Sequence, residues 1–315
     1  MMEKLRVLVF HHENVEPYVK LLRRMAPELE LLVCTTEQDI DKWIGEADIL
    51  FVSTRFPTRL LAKCSRAKWI QVMGAGVERF VQGNIPKSVT LTRVDVGFGD
   101  KIAEYVMAYI LFFSQRIAEV IENQRRKRWE PLDLTWLKGE VLGVAGVGAV
   151  GMEVARRGRC FGMKVVGFDL EPKNLPEIDH WYSWNEFLEF VTLPKYLVIC
   201  LPLTRKTEGL FGREAFEAMR RDSIIINVAR GPIIRETELI EALRTRKIGG
   251  AVLDVFEQEP LPIQSPLWQM ENVVVTPHHA GPSLPQEMVE FFLANLSRFR
   301  RGEPLRGQVD IERGF

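Results

Sequence analysis

The chain has few of the features that would remove it from the ordinary globular proteins. Its 315 residues include four cysteines, Cys34, Cys64, Cys160 and Cys200, with no C-x-x-C pair. Neither a disulfide framework nor a zinc–thiolate site is therefore expected. Cys160 and Cys200 fall in expected helix and strand cores, as small buried hydrophobes of a reducing compartment. No apolar run approaches the length of about 18 residues that a membrane span needs. The strand-like run from Leu5 leads into His11-His12, which does not fit a secretory leader. Net charge is also missing, since 42 Lys and Arg balance 42 Asp and Glu, so no bulk field draws nucleic acid or an anionic membrane. The basic run Arg125-Arg126-Lys127-Arg128, with Arg116 upstream, reads as a solvated helix end. There is no G-x-S-x-G elbow and no Walker lysine, which argues against hydrolase and kinase chemistry. The five histidines show no metal-ligand spacing, and no metal is expected. These absences describe a cytoplasmic protein with no nucleic-acid or membrane partner.

What the chain does contain is concentrated in residues 141–151, Val-Leu-Gly-Val-Ala-Gly-Val-Gly-Ala-Val-Gly. A short apolar run fit for a buried strand leads into Gly146, Gly148 and Gly151 at G-x-G-x-x-G spacing. A helical pattern over Met152–Phe161 follows, then a second strand, Lys164–Phe168, ending on Asp169. Gly146 suits a tight turn, Gly148 close approach of backbone to a pyrophosphate, and Gly151 close packing of helix on strand. The helix start offers unpaired N–H groups to the phosphates. Asp169, 18 residues after Gly151, is placed to accept hydrogen bonds from an adenosine ribose. It would repel a 2′-phosphate, and Lys173 is the only cation near it, so NAD is expected over NADP.

Short apolar runs alternating with helical patterns before residue 99 predict strands at Leu5–Phe10, Leu29–Cys34, Asp48–Ser53 and Lys68–Met73. Beyond Val141, six strands are expected: Val141–Ala145, Lys164–Phe168, Tyr196–Cys200, Ser223–Val228, Gly250–Leu253 and Asn272–Val275. Strands separated by helices imply right-handed crossovers and parallel sheets. The expected fold class is α/β, with two doubly wound parallel-sheet domains. A Rossmann-type dinucleotide-binding domain, residues 99–281, is inserted into a smaller flavodoxin-like substrate domain made of 1–98 and 282–315. The two crossings between such domains are expected to make a cleft for a small substrate. Residues 100–127 read as one long helix, whose stripe of Ile102, Val106, Ala108, Tyr109, Phe112, Phe113 and Ile117 suits core packing or a homodimer contact.

Three segments downstream each end an expected strand, on the edge where open α/β sheets bind ligands. The first holds Arg230, followed by Gly-Pro, which keeps it on a turn. It can clamp a carboxylate and polarise a carbonyl, although an arginine considered alone is more often a surface ion-pair partner. In Asp254-Val255-Phe256-Glu257-Gln258-Glu259-Pro260, the proline restricts the backbone of Glu259. The third segment is Thr276-Pro277-His278-His279-Ala280-Gly281. Its imidazoles suit proton donation near neutral pH, and a carboxylate beside one stabilises the charged form. A His–carboxylate–Arg set beside a hydride-carrying cofactor is the equipment for reducing a carbonyl.

These segments resemble the D-isomer-specific 2-hydroxyacid dehydrogenases over essentially the whole chain. The resemblance is carried by Leu142 to Gly151, by Leu201-Pro202-Leu203-Thr204 with Thr207, and by Asn227 to Gly231. Leu253 to Pro260, Ser265-Pro266-Leu267-Trp268 and Thr276 to Gly281 complete it. It implies that Arg230, Glu259 and His278 are the catalytic set, with His278 favoured over His279 because it directly follows Thr-Pro. It also implies cofactor contacts at Gly146, Gly148, Ala149, Val150, Gly151, Asp169, Leu201, Pro202, Thr207, Val228, Ala229, Asp254, His278, Ala280 and Gly281, with Asp254 at the nicotinamide end. The turn Gly74-Ala75-Gly76-Val77 looks like the family's carboxylate-binding loop, as Gly-x-Gly lets backbone donors converge on an anion. Arg230 and Arg55 are further substrate contacts. Ala149 and Val150 stand where the family often has an arginine and a β-branched residue, so a side-chain contact to the pyrophosphate is missing, which implies somewhat weaker cofactor binding. Related formate dehydrogenases carry Gln at the position of Thr276, so the chain does not look like one of them.

The resemblance implies reduction of a small 2-oxo acid to its D-2-hydroxy acid, with glyoxylate or hydroxypyruvate as the first choice. Phosphoglycerate is the alternative, with Arg55, Arg79 and Arg93 as phosphate partners and Arg55 the best placed. A dinucleotide-sensing interaction protein of the corepressor type is the reading from another class. Its members carry extra disordered tails, and here the chain ends soon after its last helix.

Overall fold

The computed structural model describes residues 4–95, 97–171 and 175–311. The chain divides into two compact units, Met1–Gly97 with Ser283–Phe315, and Phe98–Pro282. Both are doubly wound parallel sheets.

In the first unit, β1 (Arg6–Phe10), β2 (Glu30–Cys34), β3 (Ile49–Val52), β4 (Trp69–Val72) and β5 (Thr90–Thr92) pair in parallel in the order β2-β1-β3-β4-β5, the flavodoxin-like arrangement. Helices α1 (Glu16–Met25), α2 (Glu37–Trp43) and α3 (Glu78–Val81) make the crossovers. Every residue of β3 and β4 is buried, as apolar runs covered on both faces should be. The last helix, Pro285–Arg300, returns to this sheet. Its Phe292, wholly buried, stacks on Phe51 and Trp69 with ring centroids 4.6 and 5.1 Å away. Burying one such ring contributes about 1.5–3 kcal/mol. Asn295 adds a buried polar tie, donating to Gln71 Oε1 at 3.1 Å.

The second unit opens with α4 (Gly99–Ser114) and α5 (Ile117–Arg125). This corrects the expected single helix over 100–127. Arg116 takes a left-handed conformation, φ +49°, and breaks the helix, while the apolar spacing that runs through it carries no sign of the break. Ile102, Val106 and Ile110 of α4 are buried, whereas α5 buries none of its residues. The sheet follows: β6 (Val141–Ala145), α6 (Ala149–Cys160), β7 (Lys164–Phe168), β8 (His180–Tyr182), α7 (Phe187–Thr192), β9 (Tyr196–Ile199), α8 (Arg213–Ala218), β10 (Ile224–Asn227), α9 (Glu236–Arg244), β11 (Gly250–Leu253) and β12 (Val273–Val275). All pairs are parallel and the order is β12-β11-β10-β9-β6-β7-β8. Chain order therefore reverses between β6 and β9, the switch point at which Rossmann sheets bind ligands.

Two short strands, β5 and β8, were not among the expected ones. Each has three residues and, unlike the all-valine β12 of the same length, no aliphatic run to mark it. Cys160 is a further correction: it ends α6 on the exposed side, not in a core. Cys34 and Cys64 are buried, and burial pushes their thiols up to about 12, so they behave as hydrophobes.

Candidate active site

At the switch point β6 runs into a left-handed turn at Gly146, φ +91°. A Cβ on Gly146 would lie 2.7 Å from the Leu201 nitrogen, and one on Gly151 would lie 2.1 Å from Gly146 O. Glycine is thus what lets the turn, α6 and the loop after β9 close on one another. Around Gly148 the situation is the opposite, with no atom within 4 Å of an added Cβ. No side chain caps α6 there, so its first amides are available to an anion. Ala149 and Val150 are the first residues of that helix. An open cradle at a helix start, flanked by glycines, fits the pyrophosphate of a dinucleotide.

Asp169 stands just past β7, half-buried. Its Oδ2 accepts from Val147 N at 2.8 Å and its Oδ1, more distantly, from Glu171 N at 3.4 Å. The residue expected to bind ribose therefore also fixes the glycine turn. Lys173, the nearby cation of the sequence, lies outside the described residues. In the loop after β9, Leu201 is buried beside Gly146. The buried Thr207 closes its own turn by donating to Pro202 O at 2.6 Å.

β10, β11 and β12 are neighbours, so the turns carrying Arg230, Glu259 and His278 leave the sheet side by side. Asn227, 1 % exposed, sets the first turn: its Oδ1 accepts from Ala229 N at 3.1 Å and its Nδ2 donates to Arg230 O at 3.0 Å. A Cβ on Gly231 would come within 1.9 Å of the Phe256 carbonyl, so the arginine turn lies directly against the backbone leading to Glu259. Arg230 Nη1 donates to Ala229 O at 2.6 Å. Val228 is half-buried and Ala229 buried at the same strand end.

Glu259, whose bond to Pro260 is cis, accepts from Phe256 N at 3.2 Å and meets His278 Nδ1 at 2.8 Å. Burial pushes its carboxyl up. The hydrogen bond and charge of His278, the Phe256 amide and the Arg230 guanidinium outweigh that and leave it below its ordinary 4.5. Facing a carboxylate, Nδ1 is the donor nitrogen of His278, and Nε2 is left for a ligand. The imidazole side chain is 49 % exposed, accessible to a substrate. His279 does not join this pair; its ring stands edge-on to Tyr105, centroids 6.1 Å apart.

His278 has φ +52°, a left-handed conformation that side-chain-bearing residues seldom adopt. Asp254, 1 % exposed, holds it there. His278 N donates to Asp254 O, His279 N to Oδ1 and Ala280 N to Oδ2, each at 2.9 Å. Thr276 Oγ1 adds a fourth bond, to Oδ1 at 2.6 Å. Both carboxylate oxygens that the family resemblance directs toward the nicotinamide are thus engaged by the histidine turn. Gly281 follows, packed against Ile102 and Phe98.

In the first unit, the Gly74–Val77 turn follows β4, with Gly74 against Thr54 and Val94 N donating to Gly74 O. Arg93 Nη1 donates to Ala75 O at 3.4 Å. Arg55 is exposed, and its charge lies close enough to His12 to help lower that imidazole below 6.5, after burial as the larger cause.

In the sequence Asn227 and Thr276 stand only as the first residues of their motifs, with no role of their own, and Tyr105 is not singled out. An Asn two residues before a turn amide is a recognisable side-chain turn signal and exposes Asn227. Nothing comparable links Tyr105 to Thr276, 171 residues apart.

Comparison with known proteins finds relatives along nearly the whole chain. A family model described as the NAD binding domain of D-isomer specific 2-hydroxyacid dehydrogenases matches residues 107–280. Glyoxylate/hydroxypyruvate reductase A of Serratia proteamaculans is 30 % identical over 98 % of this chain and 99 % of its own. A crystal structure of a D-isomer specific 2-hydroxyacid dehydrogenase family protein from Aeromonas salmonicida shares 35 % identity with a TM-score of 0.90, covering 98 % of this chain and 100 % of that one. The NADPH-dependent glyoxylate/hydroxypyruvate reductase of Sinorhizobium meliloti, solved with NADP and sulfate, is 27 % identical with a TM-score of 0.92, covering 99 % and 100 %.

Proposed function

The chain belongs to the D-isomer specific 2-hydroxyacid dehydrogenase family, whose members are oxidoreductases, and we propose that it reduces glyoxylate or hydroxypyruvate to the corresponding 2-hydroxy acid. The observation that carries this reading is the 2.8 Å pairing of His278 Nδ1, after β12, with Glu259, after β11, the strand that pairs with the β10 of Arg230. When bound, the nicotinamide dinucleotide supplies the hydride. The chain's own residues supply the rest. Arg230 clamps the substrate carboxylate and polarises the carbonyl. As electron density moves onto the carbonyl oxygen, His278 Nε2 delivers its proton there, and Glu259 stabilises the imidazolium until it does. In the smaller unit, Arg55 and the Gly74–Val77 amides are assigned to substrate binding. The phosphoglycerate reading is the weaker one, because Arg93, one of its three phosphate arginines, already bonds Ala75 O.

NAD(H) is the proposed cofactor in preference to NADP(H), supported by the carboxylate of Asp169 held at the ribose end of the glycine turn by Val147 N. Comparable kcat/KM with NADH and NADPH would overturn that preference. A homodimer is proposed on the apolar surface that α5 and the segment after it leave uncovered, where Val120, Ile121, Trp129, Leu134 and Trp136 are all exposed. Light scattering on the wild type and on Trp129→Glu tests it. No helix among the described residues is long and apolar enough to cross a membrane, and the free cysteines support a cytoplasmic location. NADH oxidation with a panel of 2-oxo acids tests the function itself. Glyoxylate or hydroxypyruvate is expected to lead the panel, and no turnover with any member would favour a dinucleotide sensor instead.

A further inference from the structure

The geometry points to Tyr105 as a positioning residue for the reaction: through Thr276 and Asp254, its hydroxyl anchors the turn that carries His278. This rests on the assignment of His278 as the proton donor.

The bond directions follow from valence. Asp254 as a carboxylate only accepts, so the Thr276 hydroxyl donates its one proton to Asp254 Oδ1 at 2.6 Å. Tyr105 Oη lies 2.6 Å from the same Thr276 oxygen and must then be the donor to it. The chain runs in one direction, Tyr105 to Thr276 to Asp254. Burial pushes the Tyr105 phenol up, and the charge of Asp254 adds to this against the opposing Thr276 bond, so the phenol keeps the proton it donates. Donation into a hydroxyl strengthens that hydroxyl's own donation onward. The residue that receives it is the one whose backbone and carboxylate hold the amides of His278, His279 and Ala280.

The rest of the Tyr105 side chain is accounted for by packing. Its ring lies 4.6 Å from Tyr109 and edge-on to His279. A tyrosine used only as filler would tolerate loss of its hydroxyl, whereas one used as an anchor would not. The turn it anchors holds an imidazole at φ +52°, a conformation that persists only when its surroundings over-determine it. Relaxation of that turn would move Nε2 without removing it.

The experiment is a double-mutant cycle of Tyr105→Phe and Thr276→Val, with Thr276→Ser as the conservative control and His278→Ala as the reference. Single-turnover NADH oxidation with glyoxylate and amide hydrogen exchange at 278–280 are the readouts. Loss of one hydrogen bond predicts a roughly three- to tenfold slower turnover in Tyr105→Phe. Thr276→Val should fall further, and Thr276→Ser should stay near the wild type. Because Tyr105 acts through Thr276, the double variant should match Thr276→Val alone, with faster exchange of the three amides in both. Independent, multiplicative losses, an unaltered Tyr105→Phe, or a Thr276→Ser as slow as Thr276→Val would each overturn the inference. His278→Ala separates this from the underlying assignment: if its turnover is unchanged, the proton-donor reading falls; if it collapses while the cycle shows no coupling, only the role of Tyr105 falls.

Discussion

Two turns of the same sheet hold residues in left-handed backbone, and they do so by opposite means. The turn after β6 removes the side chain: Gly146 adopts φ +91° with no Cβ to oppose it, and the space gained is filled by neighbouring backbone. The turn after β12 needs its side chain, because the residue at φ +52° is the imidazole to which proton donation is assigned in the proposed reaction. Glycine is not available as a solution there. The fold instead ties three successive amides to one buried aspartate. A site that needs only backbone donors can be written in glycine, whereas one that needs a functional group in strained backbone requires a scaffold of partners around it.

The largest effect that breaks this comparison is removal of the imidazole. His278→Ala should lower kcat by about 10²–10⁴-fold, measured by steady-state NADH oxidation, with thermal stability essentially retained. Arg230→Ala should damage KM together with kcat, since the proposed reaction sets its guanidinium on the bound substrate as well as on the developing charge. An Arg230 variant with normal KM would remove it from the carboxylate.

Asp254→Asn comes next. The amide has the shape of the acid but presents N–H where Ala280 N also donates, so the turn loosens. A fall in kcat of roughly 10–100-fold is expected, with NADH affinity from fluorescence titration within about threefold of wild type. A larger change in affinity than in kcat would return Asp254 to the cofactor and away from the turn.

Gly151→Ala tests the opposite strategy. A methyl group 2.1 Å from Gly146 O forces α6 off the strand, at a cost of about 1–3 kcal/mol, read as a lower Tm with weakened NADH binding. If Tm and binding are both unaltered, glycine is not what shapes that turn.

The smallest effect is in the pH dependence of stability. Glu259 is held below its ordinary 4.5 in the folded chain. Its contribution is therefore fully present above about pH 4.5 and is lost as pH falls through the folded value. The Tm difference between wild type and Glu259→Gln should shrink as pH falls below that range. A difference that grows on acidification would contradict the His278–Glu259 pairing.

Much of this site can be read directly from the sequence where chemistry and spacing coincide locally. The glycine turn, Asp169 and the three strand-end segments are each short, and each carries its own signal. The break at Arg116 and the strands β5 and β8 escaped because neither a single left-handed residue nor a three-residue strand without an aliphatic run alters a hydrophobic period. The exposure of Cys160 escaped for a related reason, as a position on a helix does not say which neighbour covers it.

Local order of residues was enough to determine the alternation of strand and helix, the parallel sheets and the glycine turn, because each depends on interactions within a few residues, and the family resemblance brought Arg230, Glu259 and His278 forward as candidates. Only the tertiary structure decided that Asp254 holds the histidine turn, that Tyr105 reaches it through Thr276, and that His278, not His279, meets Glu259. Those pairings join segments 19 to 171 residues apart, and no pattern along the chain records which distant side chains a fold brings within hydrogen-bonding reach.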